Sequence, residues 1–99
     1  MLEQLTRDSF AAQLNTKFRV EVEPEKAVEL ELAEVQGHGD VAGQTERFSV
    51  YFRGPLELFL PQNTYRMEHD ALGSPEIFIV PIRRDDAGFY YEAVFNRVN

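Results

Sequence analysis

The stretch "KFRVEVE", Lys17 to Glu23, puts apolar and charged side chains in strict alternation. Successive side chains of an extended chain point to opposite faces, so a period of two demands a sheet with one buried face. Phe18, Val20 and Val22 fall on one side, and Arg19, Glu21 and Glu23 on the other. Pro24 and Glu25 make a turn, and "AVELELAEV" repeats the pattern with Val28, Leu30 and Leu32 inward. Val35 is out of step with Leu32, so a bulge at Ala33 or Glu34 is needed to restore the phase.

The same period runs through most of the chain. "RFSVYFRG" places Phe48, Val50 and Phe52 on one face, and "TYRMEHD" places Tyr65, Met67 and His69 together. "EIFIVPI" is apolar on both faces and reads as a doubly covered strand. Its Pro81 cannot donate to a ladder, which puts that end at an edge or a bulge. "RRDDAG" is a hairpin turn with Gly88 available for positive φ. "FYYEAVFN" alternates Phe89, Tyr91, Ala93 and Phe95 against Tyr90, Glu92 and Val94.

Before the strands lies one short helix. Thr6 is a good N-cap, Asp8 favours the helix dipole, and Leu5 with Phe10 has the spacing of a hydrophobic staple. The spacing predicts a helix over 7–14, stopped at Asn15 and docked through Phe10 and Leu14. "QGHGDVAGQ", with three glycines from Gly37 to Gly43, is a loop. Short connections and the lack of helical crossovers favour antiparallel neighbours. The expected fold is mainly β: a small antiparallel β-sandwich or partly open barrel of about six strands with one short N-terminal helix. All 99 residues form a single domain.

Composition narrows the function. The absence of cysteine excludes disulfides, zinc–thiolate sites and thiol nucleophiles. A formal charge of -7 repels polyanions, so no nucleic acid is expected as a partner. Six glutamates between Glu21 and Glu34 form a solvated strand face or a patch for a basic partner. No run approaches the roughly 20 apolar residues of a membrane span, and "MLEQLTRDSF" is not a signal peptide. A cytoplasmic protein without membrane insertion is expected.

No catalytic set is legible. The histidines are His38, between glycines in the loop, and His69, at a strand end beside Asp70. Alternation sends His69 away from Glu68 and Asp70, so the three do not suit one metal; His38 with Asp40 offers only a two-residue pair. His69 reads as a half-buried residue bonded to a backbone carbonyl. There is neither a Gly-x-Ser-x-Gly elbow nor a phosphate-binding loop. No cofactor and no enzymatic activity are expected.

The segment "GPLELFLPQ" is the exception to period two. Leu56, Leu58, Phe59 and Leu60 lie between Pro55 and Pro61 and cannot all point inward from a strand. One helical turn would put Leu56, Phe59 and Leu60 on one side as a lid, with Glu57 outside. The alternative is an exposed patch that docks a partner. Phe48, Phe52, Phe78, Phe89, Tyr91 and Phe95 read as core, whereas Tyr51, Tyr65 and Tyr90 suit a surface cluster. Arg53 and Arg66 flank the segment and pair with glutamates or face a partner. The candidate partner-binding set is therefore Leu56, Leu58, Phe59, Tyr51, Tyr65, Arg53 and Arg66.

"FSVYFRGP", "LPQNTYRMEHDALG", "IFIVPI" and "YEAVFN", with Leu5, Thr6, Phe10, Leu14, Asn15 and Phe18, resemble a family of short bacterial proteins known as a domain of unknown function. The resemblance spans nearly the whole chain. It implies no activity and no catalytic residues; genes of such proteins often lie near phage-tail-like or tail-collar-like genes. Asn63 stands where the family more often has glycine, and asparagine tolerates a left-handed turn there. The leading expectation is a non-enzymatic structural or protein–protein interaction module, an accessory of a phage-tail-like or surface appendage, with a protein partner or self-association. Its rival is a small-ligand module with a pocket between the sheets or under the 37–43 loop.

Overall fold

The computed structural model describes residues 5–37 and 45–98. One helix, α1 (Arg7–Ala11), precedes six strands: β1 (Lys17–Glu23), β2 (Lys26–Gly37), β3 (Thr45–Gly54), β4 (Asn63–Glu68), β5 (Glu76–Asp85) and β6 (Gly88–Val98). The strands close into an antiparallel barrel in the order β1-β2-β3-β6-β5-β4. Closure removes the open sheet edges that a sandwich or open barrel would keep. The ladder is uneven. β3 and β6 share ten residue pairs, whereas the seam between β1 and β4 has two, Arg19 with Glu68 and Val20 with Met67.

The interior is filled by the residues that alternation assigns to it. Phe18, Val20, Leu30, Leu32, Phe48, Val50, Phe52, Met67, Ile77, Ile79, Tyr91 and Ala93 are buried. The expected phase repair is present as a register shift between Leu32 and Glu34. A second shift lies between Pro81 and Arg83: Pro81 stands opposite Tyr91 and Ile82 is left without a partner, so the proline borders a bulge. The strand "EIFIVPI" is not doubly covered. Ile77 and Ile79 point inward, but Phe78 is 50% exposed and Ile82 44% exposed. A closed barrel has one interior, so residues of opposite parity on β5 must face out; Phe78 therefore leaves the expected core.

Both barrel ends are stoppered. At one end α1 inserts Phe10, whose ring centroid lies 5.3 Å from Phe95, 6.0 Å from Phe48 and 6.4 Å from Phe18. Thr6 caps this helix in a reciprocal capping box. Its Oγ1 accepts the Ser9 amide at 3.0 Å, and Ser9 Oγ accepts the Thr6 amide at 2.8 Å. The helix is shorter than its apolar spacing suggests. The amides of Gln13 and Leu14 bond three residues back, to Phe10 and Ala11, and the Asn15 amide bonds the Leu32 carbonyl instead. Asn15 makes the expected left-handed stop at φ 70°, but Leu14 stays exposed rather than docking.

At the other end Leu60 enters the core. Here β3 and β6 approach closely. A Cβ on Gly88 would collide with the Gly54 carbonyl, and one on Gly54 would lie 2.7 Å from the Leu30 side chain. Gly88 lets β6 meet β3 without a side chain between them, and Gly54 leaves room for the Leu30 side chain of β2. Asn63 opens β4 as extended chain, so the left-handed turn expected there is not made.

Candidate interaction surface

The 55–62 crossing does not form the expected helical turn. Residues 56 and 57 make a turn and the chain then runs irregularly to β4. Of the three residues expected to share one inward face, only Leu60 is buried; Leu56 is 44% and Phe59 49% exposed. Leu58 is half-buried against the core. The reason lies in the anchors. The buried Tyr91 hydroxyl accepts the Leu60 amide at 3.0 Å, and the Tyr65 hydroxyl donates to the Pro61 carbonyl at 2.7 Å. These two bonds hold the backbone in an extended crossing, and an extended chain turns neighbouring side chains opposite ways. Phe59 then packs outside, edge-on to Phe89 with centroids 5.2 Å apart.

The seven residues singled out from the sequence do not make one surface. Leu56 and Phe59 face solvent on the crossing. Tyr65 lies half-buried against the core, and burial raises its phenol above the ordinary range. Tyr51 and Arg53 lie on β3 and are engaged sideways. The Tyr51 hydroxyl sits 3.1 Å from a Glu92 oxygen and 3.2 Å from Gln36; burial, then Glu92, pushes its phenol up. Arg53 forms an ion pair with Glu31, and Tyr90 and Glu31 both favour its charged form. Arg66 is exposed and stands opposite Glu76 in the ladder.

Besides Leu14, three large apolar residues that the sequence did not single out for a surface are also exposed: Phe78, Ile82 and Val94, the last 60% exposed. They belong to β5 and β6, where Arg83 also lies over the Tyr90 ring at 3.8 Å. The outward parity of Val94 was visible as alternation in "FYYEAVFN"; Phe78 and Ile82 were hidden in a run apolar on both faces.

Grooves exist on the outside of the barrel. One of about 650 Å³ is lined by Lys17, Arg19, Glu29, Glu31 and Arg53 among others. Its arginines are already answered, Arg19 by Glu68 at 3.3 Å and Arg53 by Glu31. Among the described residues no group of three His, Cys, Asp or Glu side chains is placed to hold a metal ion. His38, Asp40 and most of the 37–43 loop lie outside the described residues.

His69 is more deeply engaged than expected, and with different partners. It is 7% exposed, and its ring lies 4.3 Å from that of Phe18. Nδ1 accepts backbone amides from Ala71 at 3.0 Å and Leu72 at 3.2 Å, rather than donating to a carbonyl. Nε2 lies 2.8 Å from Thr16 Oγ1, which donates to the Gln13 carbonyl at 2.6 Å. This network defines the neutral Nε2–H tautomer.

Filled interior, plugged ends and large apolar residues left outside define a small closed β-barrel whose accessible features are on its outer surface. The chain belongs to the family described as a domain of unknown function, DUF6916, whose model matches residues 5–95. No curated protein and no solved structure matches it. No helix among the described residues is long and apolar enough to cross a membrane.

Proposed function

We propose that this protein is a non-enzymatic structural or protein–protein interaction module that binds a protein partner or its own copies through side chains on the barrel's outside. The observation that carries this reading is the outward exposure of Leu56, Phe59, Phe78, Ile82 and Val94. A small closed barrel has one limited interior, so these side chains fall on its outward faces, where a partner's apolar surface would cover them. The closed ladder argues for contact through side chains rather than strand addition. The acidic charge argues against a nucleic-acid partner. A phage-tail-like or surface appendage is the assembly to test first.

The test is light scattering after size exclusion, with pull-down from the native host, for wild type and for Phe59→Ser and Phe78→Ser. The reading expects a dimer, higher oligomer or captured protein that one of these variants loses while staying folded. A wild-type chain that is strictly monomeric and captures nothing would defeat it. The ligand-binding alternative would use the 650 Å³ outer groove. A thermal-shift screen separates the two, since a small ligand raises the melting point of the isolated monomer.

A further inference from the structure

The β1–β4 seam is the shortest ladder of the barrel, two residue pairs long. His69 follows Glu68, the last residue of β4 and of the seam, and Thr16 precedes β1, three residues before Arg19 of the seam. Their side chains meet at 2.8 Å. On one side the ring holds the turn after β4, through the amides of Ala71 and Leu72. On the other, Thr16 is fixed to the barrel by the bond from the Leu32 amide to its carbonyl at 3.0 Å. His69 thus joins two parts of the chain that few other bonds hold together.

We propose that His69 is a proton-sensitive clasp of the 69–73 turn at the end of the β1–β4 seam, closed while the imidazole is neutral and loosened when Nδ1 takes a proton. The chemistry is direct. Neutral Nδ1 is an acceptor facing two N–H groups; protonated, it is a third donor facing them and neither of these bonds survives, while the Nε2–H group goes on donating to Thr16 Oγ1. The Ala71 and Leu72 amides must then turn to water. The two His69–Gly73 backbone bonds at 2.7 and 3.0 Å keep the ends of the turn together, so the change is a local opening of residues 70–72 beside the Phe18 ring.

The charges around the ring are few. Asp70 in its own turn favours protonation, and Arg19 on β1 opposes it; Arg19 is itself paired with Glu68 of β4 at 3.3 Å. The α1–β1 connection presents Thr16 and Gln13, neither of which titrates, and β1 presents the Phe18 ring. Burial is the largest influence and pushes the imidazole below its ordinary value. The closed form therefore binds a proton less readily than the open form, so acid favours opening.

The experiment is nitrogen-15 NMR of the His69 ring with amide exchange of the whole chain across the pH range. The ring should be the Nε2–H tautomer at neutral pH and titrate below about 6.5. Protection of the Ala71 and Leu72 amides, corrected for intrinsic exchange, should fall about tenfold per pH unit below that value, until the closed form itself titrates. His69→Asn keeps an acceptor for both amides, as in an Asx turn, but cannot titrate, and should lose this dependence. Thr16→Val should keep the pH dependence of the turn and lower seam protection at every pH. If either variant fails to fold, the wild-type titration decides alone. A ring in the Nδ1–H tautomer, a pKa at or above the ordinary value, or protection at Ala71 and Leu72 that does not change with pH would overturn the clasp.

Discussion

The hydroxyl of Tyr91, deep inside the barrel, accepts the backbone amide of Leu60 at 3.0 Å. This one bond fixes where the 55–62 crossing meets the core. Tyr91→Phe would leave that amide buried without its partner, at a cost of about 1–3 kcal/mol. The melting point should fall by about 4–8 °C for each kcal/mol lost. A Tyr91→Phe protein as stable as wild type would show that the crossing is held elsewhere.

Leu60 and Phe59 are neighbours with opposite roles. Leu60 is 3% exposed and Phe59 49%. Leu60→Ala should cost about 2–5 kcal/mol. Phe59→Ala removes only the outer contact with Phe89, at about 0.5–1.5 kcal/mol. Chemical denaturation of the two variants checks the order, and a Phe59→Ala protein that unfolds would restore the lid reading.

Glu25 sits at φ 71° in the β1–β2 turn, a left-handed conformation that disfavours a Cβ. Glu25→Asn should stabilise the protein by about 1 kcal/mol, seen as a higher urea midpoint with an unchanged slope. A lower midpoint would mean that the glutamate has a compensating contact.

Asp85 organises the β5–β6 hairpin. Its Oδ1 accepts the Ala87 amide at 2.8 Å and the Gly88 amide at 3.3 Å, while Arg83 lies 3.1 Å from its other oxygen. The Ala87 bond, ahead of the others, holds this carboxyl below its ordinary value. Its contribution is therefore complete above the unfolded value of about 3.9 and lost as pH falls through the lower folded value. Carbon-13 titration should place Asp85 below the ordinary aspartate value of about 3.9, with the Ala87 and Gly88 amide shifts moving in step. An Asp85 that titrates normally would contradict this.

Period two was enough to place Phe18, Val20, Leu30, Leu32, Phe48, Val50, Phe52, Met67 and Tyr91 inside, and the Leu32–Val35 slip marked the bulge. The Thr6 cap and Asn15 stop were legible because they act over a few residues. Where apolar residues ran together, in Leu56–Leu60 and Ile77–Ile82, no alternation distinguished inside from outside. There the faces were set by partners far along the chain, Tyr91 for Leu60 and the barrel's curvature for Phe78. The candidate surface was correspondingly half seen: Leu56 and Phe59 were named, Phe78, Ile82 and Val94 were not. His69 was grouped with Met67 but expected half-buried and bonded to a carbonyl; it is buried, and nothing local pairs it with Thr16, 53 positions away.

The ten-pair ladder between β3 and β6 joins residues as distant as Thr45 and Val98. During synthesis β3 therefore waits, with half its hydrogen bonds unmade, until the whole intervening stretch has left the ribosome. Such non-local pairing slows folding to the millisecond-to-second range. In that interval the alternating phenylalanines of β3 are a sticky ribbon, and the glutamates on its neighbour β2 are well placed to keep nascent chains apart.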